Sequence, residues 1–178
     1  MKTTEMLKSL QLLYPLQNLE AITQQATQKA WSHRDYLDHL LEGECERRQT
    51  EAIARRIKKA RFPVRKELAD FSWNWPTKIN RTQVQELFRL EFIPARTNAI
   101  FVGSVGVGKT HLATALGMSG LTQHGKRVRF YSTVDLVNAL EQEKAQGKAG
   151  RIALSLMRMD LVILDELGYL PFSQAGGA

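Results

Sequence analysis

The amino-acid sequence predicts an α/β core that is built on a parallel sheet and preceded by a small helical domain. In residues 98–178, apolar runs that suit strands alternate with segments that suit helices. Four consecutive apolar residues at 161–164 are typical of a strand buried on both faces of a parallel sheet. In residues 4–60, by contrast, apolar side chains recur at helical spacing. We therefore divide the chain into a helical domain at residues 1–62, a connector at 63–97 and the α/β core at 98–178.

The composition of the 178 residues limits the class of protein. A hydrophobic content of 43% is enough for a sizeable core. No apolar run approaches the roughly 20 residues that a membrane helix needs, and the N-terminal residues lack the apolar core of a signal peptide. The single cysteine, Cys45, excludes an internal disulfide and a multi-cysteine zinc site. We expect a cytoplasmic protein without membrane association.

Start and stop signals define the helices of the first part. Thr4 can cap a first helix, which Pro15 is expected to interrupt. Ser32 is followed three residues later by Asp35, a capping-box pattern that predicts the start of a long helix. Acidic residues come early and basic ones late in this helix, an order that suits its dipole. Pro63 is expected to close it.

Positive charge is concentrated near the end of this helical part. The net charge is +7 and the pI is about 9.7, which fits a polyanionic partner. Between Arg47 and Lys66 the chain has nine basic residues and a single acid, Glu51. Basic residues late in a helix also stabilise it through its dipole. A contact to a polyanion and stabilisation of the helix therefore both stay open as interpretations of this charge.

The connector contains a cluster of aromatic residues. Phe71, Trp73 and Trp75 precede Pro76. Such side chains can stack on nucleobases, but they more often pack a linker against a domain. A short helix is predicted at 82–90, and contacts to a nucleotide base are expected between residues 80 and 95.

The pattern G-x-x-x-x-G-K-T lies at the start of the core. An apolar run at 99–102 predicts a strand before it, and residues 111–118 suit a helix after it. This order is that of a P-loop, in which backbone N–H groups surround a phosphate, the lysine neutralises the β- and γ-phosphates, and the threonine hydroxyl binds Mg²⁺. The alternative is a flexible glycine-rich turn with an incidental lysine. The predicted nucleotide-binding residues are Gly103, Ser104, Val105, Gly106, Val107, Gly108, Lys109 and Thr110.

Two acids follow the apolar run at 161–164. Asp165 is expected to hold Mg²⁺ together with Thr110, and Glu166 to polarise the attacking water as a general base. A strand that ends in a helix-capping aspartate would look the same in isolation. One strand–helix unit separates these acids from the loop, however, which favours the metal site. We therefore predict Lys109 and Glu166 as catalytic residues, and hydrolysis over phosphoryl transfer to a metabolite. His111 is given no catalytic role.

Several segments resemble one family of proteins. They are GSVGVGKTHLATALG at 103–117, LVILDELGYLPF at 161–172, ARFP at 60–63 and LADF at 68–71. They resemble the IstB family, whose members are the helper ATPases of two-gene insertion sequences. The IstB family is similar in turn to the helicase loader DnaC, within the AAA+ class. The resemblance covers essentially the whole chain.

This resemblance implies an AAA+-like P-loop NTPase core with ATP and Mg²⁺ as cofactors. It also implies a homo-oligomer that binds double-stranded DNA and assists a separate transposase, encoded by the same element, without itself cutting or joining DNA. The basic run then becomes a candidate DNA contact that acts on phosphates. The candidate DNA-binding residues are Arg47, Arg48, Arg55, Arg56, Lys58, Lys59 and Arg61.

The resemblance further implies elements that residues 166–178 are too few to form. These are a strand with a polar sensor residue and a helix with an arginine finger. We therefore expect a core that is incomplete at its C-terminus. In the family's strand order the sensor strand lies between the strand at 99–102 and the strand at 161–165, so a gap is expected there, with unpaired backbone groups.

Four functions stay open at this point. They are a transposition helper, a DnaC-like loader, a non-hydrolysing remnant of the helper ATPase, and a P-loop kinase. Glu166 and the basic helical part disfavour the kinase.

Overall fold

The computed structural model describes residues 2–74 and 79–167, and the chain divides into two compact units at 1–54 and 55–178. The α-helices of the described residues are α1 (Lys2–Ser9), α2 (Leu13–Gln28), α3 (His33–Ala60), α4 (Arg81–Leu87), α5 (Lys109–Thr122), α6 (Thr133–Ala145) and α7 (Arg151–Leu156). The strands are β1 (Val128–Ser132) and β2 (Leu161–Asp165), and a 3₁₀ helix spans Leu68–Asp70.

Helices α1, α2 and the first part of α3 form the first unit. The carboxylate of Glu44 on α3 accepts a hydrogen bond from the backbone N–H of Tyr14, at 2.9 Å. Pro15 lies in the first turn of α2, where its missing N–H would have no helical partner. The prediction that Pro15 interrupts a helix is therefore wrong. The break comes earlier, at Gln11, which has a φ of 55°.

The predicted start of α3 is confirmed. The N–H of Asp35 donates to Oγ of Ser32 at 3.1 Å, and the N–H of Ser32 donates back to Oδ2 of Asp35 at 3.2 Å. Hydrogen bonds from Ser32 also lower the pKa of Asp35. The helix ends at Ala60, just before Arg61 takes a left-handed φ of 58°.

A parallel sheet of β1 and β2 forms the centre of the second unit. Val128 pairs with Leu161, and Ser132 pairs with Asp165. Helix α5 packs on this sheet through its largely buried surface, which includes Leu112, Ala115, Leu116, Met118 and Leu121.

Arg127 and Asp160 connect the two strands where they begin. The carboxylate of Asp160 accepts hydrogen bonds from the backbone N–H of Arg127, at 2.7 Å, and from its guanidinium, at 2.9 Å. Side-chain and backbone hydrogen bonds from Arg127 lower the pKa of Asp160 to about 2. At the other end of the sheet, Ser132 lies beside Asp165.

The apolar run at 99–102 is not a strand, although the sequence predicts one. Ile100 is 82% exposed and Val102 is 90% exposed. A strand needs a neighbour for its backbone N–H and C=O groups, and β2 pairs only with β1 among the described residues. This arrangement agrees with the expected gap, and the described core is accordingly a partial α/β core.

None of the helices in the described ranges is both long and apolar enough to cross a membrane.

Candidate nucleotide site

The loop at 103–108 leads directly into α5. Gly106 and Gly108 have φ values of 80° and 87°, which side-chain-bearing residues rarely adopt. The first helical hydrogen bond runs from the N–H of Leu112 to the carbonyl oxygen of Gly108, at 2.9 Å. The N–H groups of the first turn therefore have no helical partner and can bind an anion.

Lys109 lies at the first position of α5, next to the loop. Its Nζ donates to the carbonyl oxygens of Gly103, at 2.9 Å, and of Ser104, at 2.8 Å. An ammonium group has three N–H donors and can serve an anion in addition to these carbonyls. The Nζ atom of the lysine thus lies against the glycine-rich backbone.

Thr110 and Asp165 are in direct contact. Oγ1 of Thr110 donates to Oδ2 of Asp165 at 2.7 Å, which brings the end of β2 to the N-terminus of α5. A hydroxyl and a carboxylate are hard oxygen ligands, and Mg²⁺ is usually held by one or two carboxylates together with substrate phosphates. The described residues contain no cluster of three or more His, Cys, Asp or Glu side chains suited to a metal. Because the Thr110–Asp165 pair supplies a hydroxyl and a carboxylate oxygen, it fits Mg²⁺ bound together with a nucleotide.

Glu166 follows Asp165 in a left-handed conformation, with a φ of 61°. Its Oε2 accepts a hydrogen bond from Oγ of Ser132 at 3.2 Å. Because Ser132 ends β1, the carboxylate of Glu166 is held at the edge of the sheet where both strands end.

Ser132 and Thr133 also contact the predicted site residues. Neither residue is among the predicted site residues, and although Ser132 directly precedes α6, its side chain makes no capping hydrogen bond. Instead, Ser132 donates to Glu166, and Oγ1 of Thr133 donates to the backbone oxygen of Asp165 at 2.7 Å. The available signal was their position at the carboxyl end of a strand parallel to β2, where α/β ligand sites form.

A cavity of about 1020 Å³ lies beside the loop. Its walls include Phe92, Ile93, the loop residues Gly106 and Lys109, and the end of β2. Phe92 and Ile93 belong to the connector stretch expected to contact a nucleotide base. Val84 of the same stretch is instead buried in the core.

Two members of the aromatic cluster, Phe71 and Trp73, pack against the core in the described part of the chain. Phe71 is only 6% exposed, and it forms a core cluster with Val84 and Leu112. Its ring centroid lies 5.0 Å from that of Trp73. The packing interpretation therefore holds for Phe71, whereas Trp75 lies outside the described residues.

The basic residues fall into two groups. Arg47 and Arg48 both bond to the buried carboxylate of Glu44, at 2.6 and 2.7 Å. The hydrogen bonds from Arg47 contribute most to lowering the pKa of Glu44 to about 2. These two arginines thus stabilise the first unit. The remaining candidates are exposed, and they are Arg55, Arg56, Lys58, Lys59 and Arg61.

A family profile and several individual proteins that match this chain all belong to one kind of protein. The profile of the family described as IstB-like ATP binding protein matches residues 5–178. The ATP-binding protein named for insertion sequence IS21 of Pseudomonas aeruginosa is 35% identical over 157 residues, which are 88% of this chain and 59% of that protein. The ATP-binding protein named for IS5376 of Geobacillus stearothermophilus is 32% identical over 150 residues, 84% of this chain and 59% of that protein.

A third relative matches nearly the whole chain. The ATP-binding protein named for IS232 of Bacillus thuringiensis subsp. berliner is 30% identical over 168 residues, 94% of this chain and 67% of that protein. The chain spans 59% of the length of the first two relatives. The family match confirms both the resemblance seen in the sequence and the predicted P-loop NTPase fold. The chain belongs to the family of IstB-like ATP binding proteins.

Proposed function

We propose that this chain binds ATP with Mg²⁺ at the loop of residues 103–110 and acts in the transposition of an insertion sequence, as a DNA-binding helper of a separate transposase. The observation that carries the proposal is the 2.7 Å contact between Thr110 and Asp165, which joins the phosphate loop to the end of β2. The names of the relatives, all ATP-binding proteins of insertion sequences, support the biological setting.

The site residues suit binding and hydrolysis of a triphosphate. The loop N–H groups and Lys109 would hold the β- and γ-phosphates. Mg²⁺ bound at Thr110 and Asp165 would offset the negative charge of these phosphates. The carboxylate of Glu166 would take a proton from water as the water oxygen bonds to the γ-phosphorus, and the bond from that phosphorus to the bridging oxygen would break to release ADP.

DNA binding is assigned to five exposed basic residues of the second unit, Arg55, Arg56, Lys58, Lys59 and Arg61. They lie at the end of α3 and at Arg61, directly after it. Contacts from such side chains to phosphates give affinity that falls with salt and carries no sequence preference. In this proposal the partners are double-stranded DNA, a transposase encoded by the same element, and further copies of this chain.

A remnant that binds ATP without turnover is the second candidate. The unpaired and exposed segment at 99–102 favours it, since that segment leads directly into the loop. The helicase-loader alternative has no such support, because the names of the relatives refer to insertion sequences.

Calorimetric titration with ATP and Mg²⁺ tests the proposal. The unmutated chain is expected to bind ATP, and Lys109→Ala is expected to lower its affinity at least about tenfold, through loss of a charge-assisted contact to phosphate. Lys148→Ala, which removes an exposed lysine beyond α6, is the matched control and should bind normally. Equal affinity of the Lys109→Ala and Lys148→Ala variants would contradict the assignment of the site.

Turnover separates the two candidates. With ATP and Mg²⁺ at saturation, the helper is expected to release phosphate. Glu166→Gln should lower that rate by about 100-fold or more while ATP binding is kept, because only the general base is lost. The exposed Glu46→Gln is the isosteric control. Binding without measurable phosphate release in the unmutated chain would leave the remnant.

A further inference from the structure

We infer that Phe71 is a positioning residue for the nucleotide loop: its ring packs against Gly108 and holds the loop in the conformation that receives phosphate. The loop's function as a phosphate site rests on the function proposed above. The contact itself is a feature of the second unit, and it links the connector to the loop.

The contact between Phe71 and Gly108 is close. A Cβ atom built on Gly108 would lie 2.7 Å from Cε2 of Phe71 and 3.4 Å from its Cζ, too close for a side chain. The ring edge therefore occupies the space that a side chain at this position would take. Two features thus favour glycine at position 108: its φ of 87° and the ring that fills the space of a side chain.

Phe71 is itself firmly held. It follows the 3₁₀ helix Leu68–Asp70 and is 6% exposed. Its ring makes edge contacts with Trp73 on one side, at 5.0 Å between centroids, and with His111 on another, at 5.3 Å. The guanidinium of Arg81 lies 4.9 Å from the centroid of the Trp73 ring. The side chain that contacts Gly108 therefore has little freedom of its own.

A hydrogen bond fixes the connector to α5 beside this contact. Nε2–H of His111 donates to the backbone oxygen of Glu67 at 3.0 Å. Glu67 directly precedes the 3₁₀ helix and His111 lies in the first turn of α5. The connector thus contacts the loop at Gly108 and the helix at His111.

The middle of the loop has no comparable support. No atom of the described residues lies within 4 Å of the Cβ position of Gly106, outside its chain neighbours. The loop is consequently anchored at its helical end, where the N–H groups for phosphate begin. Without the ring, the loop would have to be ordered during binding, and that ordering lowers affinity.

Hydrogen exchange of the amide that bonds to Gly108, measured without nucleotide, tests the positioning directly. Phe71→Ala is compared with Val84→Ala, because Val84 is also 6% exposed and belongs to the same core cluster, whereas the atoms nearest the Gly108 Cβ position all belong to Phe71. Phe71→Ala is expected to speed exchange of the Leu112 amide, which donates to the carbonyl oxygen of Gly108, by about tenfold relative to Val84→Ala, once both are normalised to their free energies of unfolding. Equal exchange in the two variants would overturn the inference.

Nucleotide affinity provides the second measurement. Phe71→Ala should weaken binding of ATP by about tenfold and leave binding of adenosine unchanged, since the loop contacts phosphates. Phe71→Leu, which keeps apolar volume, should restore part of the ATP affinity, and it replaces Phe71→Ala in both measurements if the alanine variant does not fold. Unchanged ATP affinity in a variant with normal unfolding would contradict the inference. If the unmutated chain bound no ATP, the proposed function would fail, and hydrogen exchange would still decide the role of Phe71.

Discussion

Glu44 shows at the scale of one residue how a charge can serve structure in this chain. Its side chain is 4% exposed, and its oxygens accept from the backbone of Tyr14 and from the guanidinium groups of Arg47 and Arg48. A buried carboxylate is tolerated because these donors compensate its lost hydration. Two of the seven basic residues predicted to contact DNA are therefore already engaged within the first unit.

Glu44→Gln should lower the free energy of unfolding by about 2 kcal/mol at pH 7, since hydrogen bonds to a charged group are lost. The pKa of Glu44 is lowered from 4.5 to about 2 by folding, chiefly through Arg47. Stability from this carboxylate is therefore present above its unfolded pKa and is lost as the pH falls from about 5 towards 2. The measurement is denaturant unfolding at several pH values.

In that experiment the difference between Glu44→Gln and the unmutated chain should shrink below pH 5. Glu42→Gln changes an exposed glutamate on the same helix and should unfold like the unmutated chain. A difference that stays constant from pH 7 to pH 2 would show that ionisation of Glu44 contributes nothing.

At the scale of elements, α5 connects the loop at 103–108 to the sheet. Its close approach to β2 depends on Gly117: a Cβ there would lie 2.6 Å from Cδ1 of Ile163 and 2.8 Å from Cε1 of Phe62. At Gly120, three residues further on, the nearest atom would be 3.3 Å away. The first turn of the helix is thereby held over the carboxyl end of β2.

We expect Gly117→Ala to be less stable than Gly120→Ala by about 1 kcal/mol in chemical unfolding. Both variants gain the same helix propensity, but only Gly117→Ala forces the Phe62 ring and Ile163 to move. Because both variants lie in the same helix, the gain in helix propensity cancels when their free energies of unfolding are compared. Equal stability of the two variants would mean that the packing of α5 on the sheet is loose.

The elements also show what sequence reasoning can predict. The strand at 161–165 and the capping box of Ser32 were found because buried runs and caps are local signals. The strand at 99–102 was predicted wrongly from an equally apolar run, because strand formation depends on a neighbour that no local pattern shows. At the site, the loop and Asp165 follow from a motif and its order. The contacts of Ser132 and Phe71 depend on packing between segments distant in sequence, and were missed.

At the scale of the whole molecule, charge separates into structural and exposed groups. The exposed cations at the end of α3 form the proposed DNA surface. Because the phosphate backbone of DNA dominates such binding, four neutralised side chains should have a large and salt-dependent effect.

Combined replacement of Arg55, Arg56, Lys58 and Lys59 by Gln should weaken binding to duplex DNA at least about tenfold and flatten its salt dependence. The control variant replaces four exposed cations elsewhere by Gln, namely Lys2, Lys8, Lys148 and Arg151. It removes the same charge and should weaken DNA binding less. Fluorescence anisotropy with labelled duplex at several salt concentrations measures both. Equal losses in the two quadruple variants would assign the binding to net charge alone.

In the proposed function, Thr110 and Asp165 form the metal-binding part of an ATP site. The most direct measurement is ATP affinity with and without Mg²⁺, for the unmutated chain, for Asp165→Asn and for the exposed control Asp135→Asn. We predict that Mg²⁺ strengthens ATP binding to the unmutated chain and to Asp135→Asn, and that Asp165→Asn loses this gain because its amide is a weaker ligand than a carboxylate. A gain from Mg²⁺ that is the same in all three proteins would contradict the account.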